Sequence, residues 1–178
     1  MAKLSIPISA DDHLQGDLDA AVNLVEYGDY QCPSCGEAYP IVKRLQRHFG
    51  KRLCFVFRNF PLSQMHPQAE AAAEAAEFAA AHGKFWEMHD LLYENQESLG
   101  DELFKTLADE LKLSSADLLN AIADHTYQAR VRADFGGGIR SGVNGTPTFY
   151  INGTRNNGPF DFDFLRQAID DALAKSKG

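Results

Sequence analysis

Apolar positions follow two rhythms along the first third of the chain. Residues 21–27 (AVNLVEY) form a short, nearly continuous apolar run bounded by Asp19 and Gly28, and residues 53–60 (LCFVFRNF) form a second. Runs of this length, edged by turn residues, predict strands covered on both faces. Between them Tyr39, Val42, Leu45 and Phe49 recur at spacings of three and four, which predicts an amphipathic helix over 37–49. Arg44, Arg47 and His48 in its last turns, with Gly50 just beyond, complete a C-terminal signature. A strand, a helix and a strand in this order predict a right-handed βαβ unit with a parallel pair.

The rhythm then changes to helical spacing alone. Nine of the thirteen residues from Ala69 to Ala81 are alanine, the strongest helix former, with Glu70, Glu74 and Glu77 along one face. Residues 85–95 and 102–111 predict two more amphipathic helices. Ser114 with Asp117 resembles a capping box that opens another helix through Ile122. A further helix is expected from Tyr127 towards Phe135, ended or weakened by Gly136, Gly137 and Gly138. Strand signals return at residues 147–152 (PTFYIN). Asn152-Gly153 predicts a hairpin turn into a short partner strand. Asp161 or Asp163 then caps a last helix carrying Phe164, Leu165, Ala168, Ile169 and Leu173.

Composition narrows the classes. The chain has 178 residues, 44 % hydrophobic and 24 % charged, as expected for one globular domain or one domain with a large insertion. Its formal net charge of −8 argues against nucleic acid as a partner, because a phosphate binder needs a basic face. Residues 62–141 hold 14 acidic and 6 basic residues, a net of −8, and the remainder holds 11 of each. The whole imbalance thus lies on the helical block, where it reads as a solvated helical surface. No apolar run approaches the roughly 18 residues of a membrane helix, and no leader follows Met1. The chain as written points to the cytoplasm, or to an extracytoplasmic compartment if it is a mature fragment, and to no membrane partner.

The chemistry concentrates at Cys32-Pro33-Ser34-Cys35, between the first strand and the first helix. If Cys32 is the N-cap, Pro33 stands at the first helical position, where its missing N–H costs nothing. Cys35 is then in the first turn, with its backbone N–H free to point at the Cys32 sulfur. The positive end of the helix favours a thiolate by ~0.3–1 kcal/mol, up to ~2 in a partly buried site. Two kcal/mol is roughly 1.5 pKa units, so Cys32 is expected to carry substantial thiolate at neutral pH. Residues i and i+3 share a helix face, so the two sulfurs can form a disulfide. Cys32 is the more exposed position and Cys35 the inward, resolving thiol. Half of a zinc site is the competing reading, but no second cysteine pair exists and the six histidines are scattered singly.

The residues VEYGDYQCPSCGEAYP, FVFRNFPL, HGKFWEMHDLLYENQ and SGVNGTPTFYING together resemble the DsbA-like branch of the thioredoxin superfamily, over Val22 to Leu173. The resemblance implies an α/β, thioredoxin-like fold: a central mixed sheet flanked by helices, residues 1–61 and 142–178, with an inserted all-helical subdomain, 62–141. It implies a protein-disulfide oxidoreductase in which Cys32 is the nucleophile and Cys35 resolves. The proline matching Pro147 is cis in this family and packs beside the disulfide, and Thr146 offers backbone bonds to an extended substrate peptide. Pro33 and Ser34 complete the substrate-facing motif. Glu26, which interrupts an apolar strand, matches a buried acid that moves protons to and from the inner cysteine. A strand-end glutamate paired with Arg58 is the alternative. No cofactor beyond the Cys32–Cys35 disulfide is implied, with glutathione as a possible electron donor and a redox partner of unstated identity.

Three features stand beside that picture. The middle dipeptide is Pro-Ser, whereas strongly oxidising members often carry Pro-His, so the direction of electron flow stays open. Cys54, inside the second strand, reads as a structural thiol. Trp86, with Phe85, Met88 and Leu92, reads as helix packing. A kappa-class-like glutathione transferase or isomerase and a non-enzymatic chaperone or binding module are the other function classes. A serine usually replaces Cys32 in the former.

Overall fold

The computed structural model describes residues 1–177. They divide into two compact units: residues 1–28, 37–58 and from 136 onward, and residues 29–36 with 59–135.

The first unit is built on a five-stranded mixed sheet in the order β1-β3-β2-β4-β5. The strands are β1 (His13–Gln15), β2 (Val22–Gly28), β3 (Leu53–Asn59), β4 (Thr148–Ile151) and β5 (Thr154–Arg155). All seven residues of β3 are buried, and all but Asn23 in β2, as continuous apolar runs require. Helix α1 (Pro33–Phe49) makes the crossover from β2 to β3 and buries Ala38, Val42, Leu45 and Phe49. It begins at Pro33 and continues through Pro40. β2 and β4 are antiparallel, pairing Leu24 with Ile151, Glu26 with Phe149 and Tyr27 with Thr148. The β4–β5 hairpin turns at Asn152 and Gly153, with φ of 46° and 81°, the left-handed pair that an Asn-Gly turn supplies. Asp161 caps the last helix, α7 (Phe162–Ser176), by accepting from the Phe164 N–H at 2.9 Å. α7 packs on β2 and β4 through Leu165, Ile169 and Leu173.

β1 escapes the hydrophobic pattern, because it has three residues and a single apolar side chain. It pairs with β3 antiparallel, His13 opposite Phe57. Residues 2–5 are tied down as well. Leu4 N–H donates to Gly153 O at 3.0 Å, Arg155 N–H to Ala2 O at 2.9 Å, and Ser5 N–H to Ser141 Oγ at 2.9 Å.

The second unit is helical. It contains α2 (Ala69–Ala81), α3 (Phe85–Glu94), α4 (Asp101–Glu110) and α5 (Ser115–Ala123). α2 packs on α3 and α5, and α4 on α5. The Ser114 cap is present, its Oγ accepting from the Asp117 N–H at 3.1 Å.

Two expectations are corrected. The last helix of the block, α6 (Gln128–Arg140), does not stop near Phe135 but runs through all three glycines. A Cβ on Gly137 would stand 3.2 Å from Ile6 Cγ1 and 3.8 Å from the Tyr27 hydroxyl, so a glycine there lets neighbouring groups approach the helix backbone. The helix ends instead at Arg140, two residues before Gly142, which is in the left-handed region with φ of 93°. Second, Glu74 and Glu77 are not on a solvated surface. They are 1 % and 4 % exposed, because an alanine helix packs closely on more than one side. One oxygen of each meets a partner there: Asn59 Nδ2 donates to Glu77 Oε2 at 3.0 Å, and His125 Nδ1 lies 3.3 Å from Glu74 Oε2. Burial pushes the Glu74 carboxyl up, against the opposing pull of His125.

Candidate active site

The motif belongs to the helical unit, and the segment leading into it is held by side chains from that unit. Asp29, whose side chain is fully buried, is the first anchor. Its Oδ1 accepts from the Gln31 N–H at 2.8 Å. Its Oδ2 accepts from the Leu62 N–H at 2.9 Å and lies 2.8 Å from His66 Nδ1. The Asp29 carbonyl accepts from the Cys32 N–H at 3.1 Å, closing a turn on the motif. Gln31 adds a bond through its Oε1, which accepts from the Gln68 N–H at 2.7 Å.

Tyr30, 1 % exposed, is the second anchor. Its hydroxyl lies 2.9 Å from Nδ1 of His89, itself buried, and its ring tilts against Tyr93 at 4.9 Å between centroids. The third anchor is Gln96, in a short 3-10 turn after α3. Its Nε2 donates both hydrogens, to Tyr30 O at 2.9 Å and to Cys32 O at 2.7 Å.

The first turn of α1 begins at Pro33, as the capping argument expects. The Cys32 carbonyl accepts the Gly36 N–H at 3.1 Å, the first helical bond, which sets Cys32 at the cap. Cys32 is 6 % exposed and Cys35 0 %, the expected order, although both are buried. Pro33 is exposed and Ser34 half-buried.

Glu26, Thr146 and Pro147 belong to the sheet unit. Glu26 is 2 % exposed on β2, opposite Phe149 of β4. The Thr146–Pro147 peptide bond is cis, just before the Tyr27–Thr148 pair. Gly28, the last residue of β2, has no room for a side chain. A Cβ there would stand 2.5 Å from Phe57 Cε2 and 3.0 Å from Glu26 Oε1.

Arg58 is not the partner of Glu26. Its five N–H donors are all engaged elsewhere in the sheet unit: by Asp12 Oδ1 at 2.8 Å and Oδ2 at 3.0 Å, Ile6 O and the Tyr27 hydroxyl at 3.0 Å each, and Pro7 O at 3.3 Å. Burial by itself would lower the Arg58 pKa, but the bond to Asp12, with the Tyr27 hydroxyl, raises it above the ordinary value.

Cys54 is fully buried in β3, and burial pushes its thiol up, with the charges of Asp17 and Asp12 adding to the effect. Trp86 takes part in packing, its ring 4.9 Å from Phe85 and 5.0 Å from His89. Among the described residues, no three His, Cys, Asp or Glu side chains are grouped to hold a metal ion.

Sequence reasoning did not find Asp29, His89 or Gln96 as parts of the site. Asp29, two residues before Gln31, fits an Asx-turn pattern that could have marked it. Gln96 has no local signal, because it meets Cys32 across 64 residues of sequence.

A family model described as thioredoxin matches residues 9–171. The structure of BdbD from Bacillus subtilis, in its oxidised form, superposes with a TM-score of 0.87 over 97 % of this chain and 98 % of that one, at 27 % identity. That of alpha-DsbA1 from Wolbachia pipientis superposes at 0.84, over 98 % and 96 % of the two chains, at 18 % identity, a likeness of fold. A Na(+)/H(+) antiporter NhaA 1 from Salinispora arenicola is 40 % identical over 175 residues, which are 98 % of this chain and 27 % of that protein. The chain thus spans about a quarter of the length of the curated relatives it matches.

Proposed function

The chain belongs to the thioredoxin family, and on that footing we propose that it is a thiol-disulfide oxidoreductase working through Cys32 and Cys35. The observation that carries the proposal is the start of α1 at Pro33, with Cys32 at the cap and Cys35 in the first turn. That geometry supports a thiolate at Cys32, since the helix N-terminus and its N–H groups favour negative charge.

The exchange balances without an added cofactor. The Cys32 thiolate attacks one sulfur of a substrate disulfide, and the other substrate sulfur leaves as a thiolate that takes up a proton. The Cys35 thiol then loses its proton and attacks the Cys32 sulfur of the mixed disulfide. The substrate departs as a dithiol, reduced by two electrons, and the enzyme holds a Cys32–Cys35 disulfide. A protein dithiol, or two glutathione molecules in turn, restores both thiols: one thiolate attacks Cys32 and frees Cys35, and a second thiolate then attacks that mixed disulfide, frees Cys32 and leaves with the first as an external disulfide. Run backwards, the same steps oxidise a substrate dithiol.

The remaining roles rest on the resemblance. Glu26 carries the proton of the inner thiol. Pro33 and Ser34 border the reacting sulfur, and Thr146 with Pro147 offers main chain to an extended substrate peptide. The ion transport named for the longer relatives is not carried over. No helix of the described residues is long and apolar enough to cross a membrane.

Trapping tests the assignment of roles. Cys35→Ser, mixed with a disulfide-bonded peptide, is expected to accumulate a mixed disulfide at Cys32, visible by mass spectrometry. An adduct located at Cys54, or none at all, contradicts the proposal.

A further inference from the structure

Gln96 is bound to the motif on two sides. Its Nε2 donates to the carbonyls of Tyr30 and Cys32, at 2.9 and 2.7 Å, and so uses both of its hydrogens. Its Oε1 lies against the α-carbon of Gly36, where a Cβ would overlap it. The Cys32 carbonyl therefore accepts two donors, the Gly36 N–H inside the helix and the Gln96 amide outside it. A carbonyl oxygen has two lone pairs, and both are engaged.

An N-cap residue is half in and half out of its helix. Its downstream side is fixed by the first helical bond, and at this cap its N–H is held by the Asp29 carbonyl at 3.1 Å. The Gln96 amide adds a side-chain restraint to these two, since it ties the Cys32 carbonyl to that of Tyr30, and Tyr30 is pinned by His89 and Tyr93. The N–H groups of the first turn stabilise a Cys32 thiolate only while the cap keeps its geometry. A glycine at residue 36 is needed for the amide to lie against the helix.

We propose that Gln96 is a positioning residue for the redox motif: its side-chain amide clamps the Cys32 cap, and Gly36 is glycine to admit it. The inference rests on the thiol-disulfide reading above and deepens it. The chemistry is unchanged, and what Gln96 sets is how much of Cys32 is thiolate, and with it the redox poise. Losing the clamp makes the dithiol form less favourable, so the protein becomes a weaker oxidant.

The test uses the full chain in four forms: wild type, Gln96→Met, Gly36→Ala and the double variant. Gln96→Met keeps the side chain's length but removes both donors. The readouts are the alkylation rate of reduced Cys32 by iodoacetamide at pH 7, which counts thiolate, and the equilibrium constant with glutathione. Circular dichroism and the thermal midpoint check folding.

Gln96→Met is expected to slow alkylation by about tenfold, equivalent to one pKa unit, and to shift the glutathione equilibrium towards the disulfide form. Gly36→Ala is expected to produce the same change, because its methyl displaces the amide. In the double variant the two effects are expected not to add, since the amide is already gone. Wild-type alkylation and equilibrium in Gln96→Met overturns the inference, and so does full additivity with Gly36→Ala. Should Gly36→Ala fail to fold, Gln96→Met alone decides. If wild-type Cys32 itself alkylates like an ordinary thiol and has no glutathione couple, the exchange reading fails instead.

Discussion

The guanidinium of Arg58 and the carboxylate of Asp12 meet through two bonds, Nε to Oδ1 at 2.8 Å and Nη2 to Oδ2 at 3.0 Å. Their side chains are 3 % and 9 % exposed. This fork holds the segment before β1 against the end of β3, and it leaves Glu26 to be explained without Arg58. Asp12→Ala would leave the guanidinium buried with its charge uncompensated, a change that typically costs about 3–5 kcal/mol. The thermal midpoint is expected to fall by on the order of 10 °C. A fall of a degree or less, as at an exposed ion pair, contradicts the burial argument.

A second prediction concerns pH. Asp134 Oδ2 accepts from both the N–H and the side-chain amide of Asn59, at 3.0 Å each, and Arg130 stands 3.4 Å from Oδ1. Burial outweighs these partners and raises the Asp134 pKa above its ordinary 3.8, with the nearby Glu77 adding to the effect. The folded state therefore keeps a proton that the unfolded chain has released. Stability falls as pH rises from the ordinary value through the raised one, and stays at the lower level above it. Asp134→Asn removes this loss. Urea midpoints at several pH values from about 4 to 7 are expected to favour the wild type most at the acid end of that range. A difference between the two proteins that is constant, or that grows in the wild type's favour with pH, would falsify the assignment.

A third prediction separates Cys54 from the working pair. It is fully buried, and its thiol is pushed up by burial, Asp17 and Asp12. Only thiolates react readily. Protein oxidised at Cys32–Cys35 is expected to show no thiol towards Ellman's reagent when native and one when unfolded in guanidinium. Cys54→Ala is expected to keep exchange turnover within about twofold, as for a buried cysteine that acts only by packing. Rapid native reaction of Cys54, or turnover lost in Cys54→Ala with the fold intact, contradicts it.

Legibility in the sequence followed distance along the chain. Local physics placed α2 at Ala69–Ala81, the Ser114 cap and the Asn152-Gly153 hairpin, narrowed the last cap to Asp161 or Asp163, and tied a helix start at Pro33 to Cys32 as the cap. Each of these is decided by residues within a few positions of one another. β1 was illegible because one apolar residue in three makes no period. α6 outran its expected end because the reason for Gly137 lies at Ile6 and Tyr27, far away in sequence. The glutamates of α2 looked solvated because helical spacing identifies a face but not what lies against it. The same holds at the site. The cysteine pair is visible as a motif, whereas Gln96 and the Asp12 partner of Arg58 are set by contacts 64 and 46 residues apart.

The central claim is that Cys32 is the attacking sulfur of a thiol-disulfide exchange. Its most direct test is turnover of a fluorescent disulfide peptide with excess dithiothreitol, comparing the wild type with Cys32→Ser. Serine is nearly isosteric, so the fold is retained while the thiolate is lost. The wild type is expected to accelerate reduction well above the dithiothreitol background, and Cys32→Ser to return it to that background. Wild-type turnover in Cys32→Ser would show that the reacting sulfur lies elsewhere.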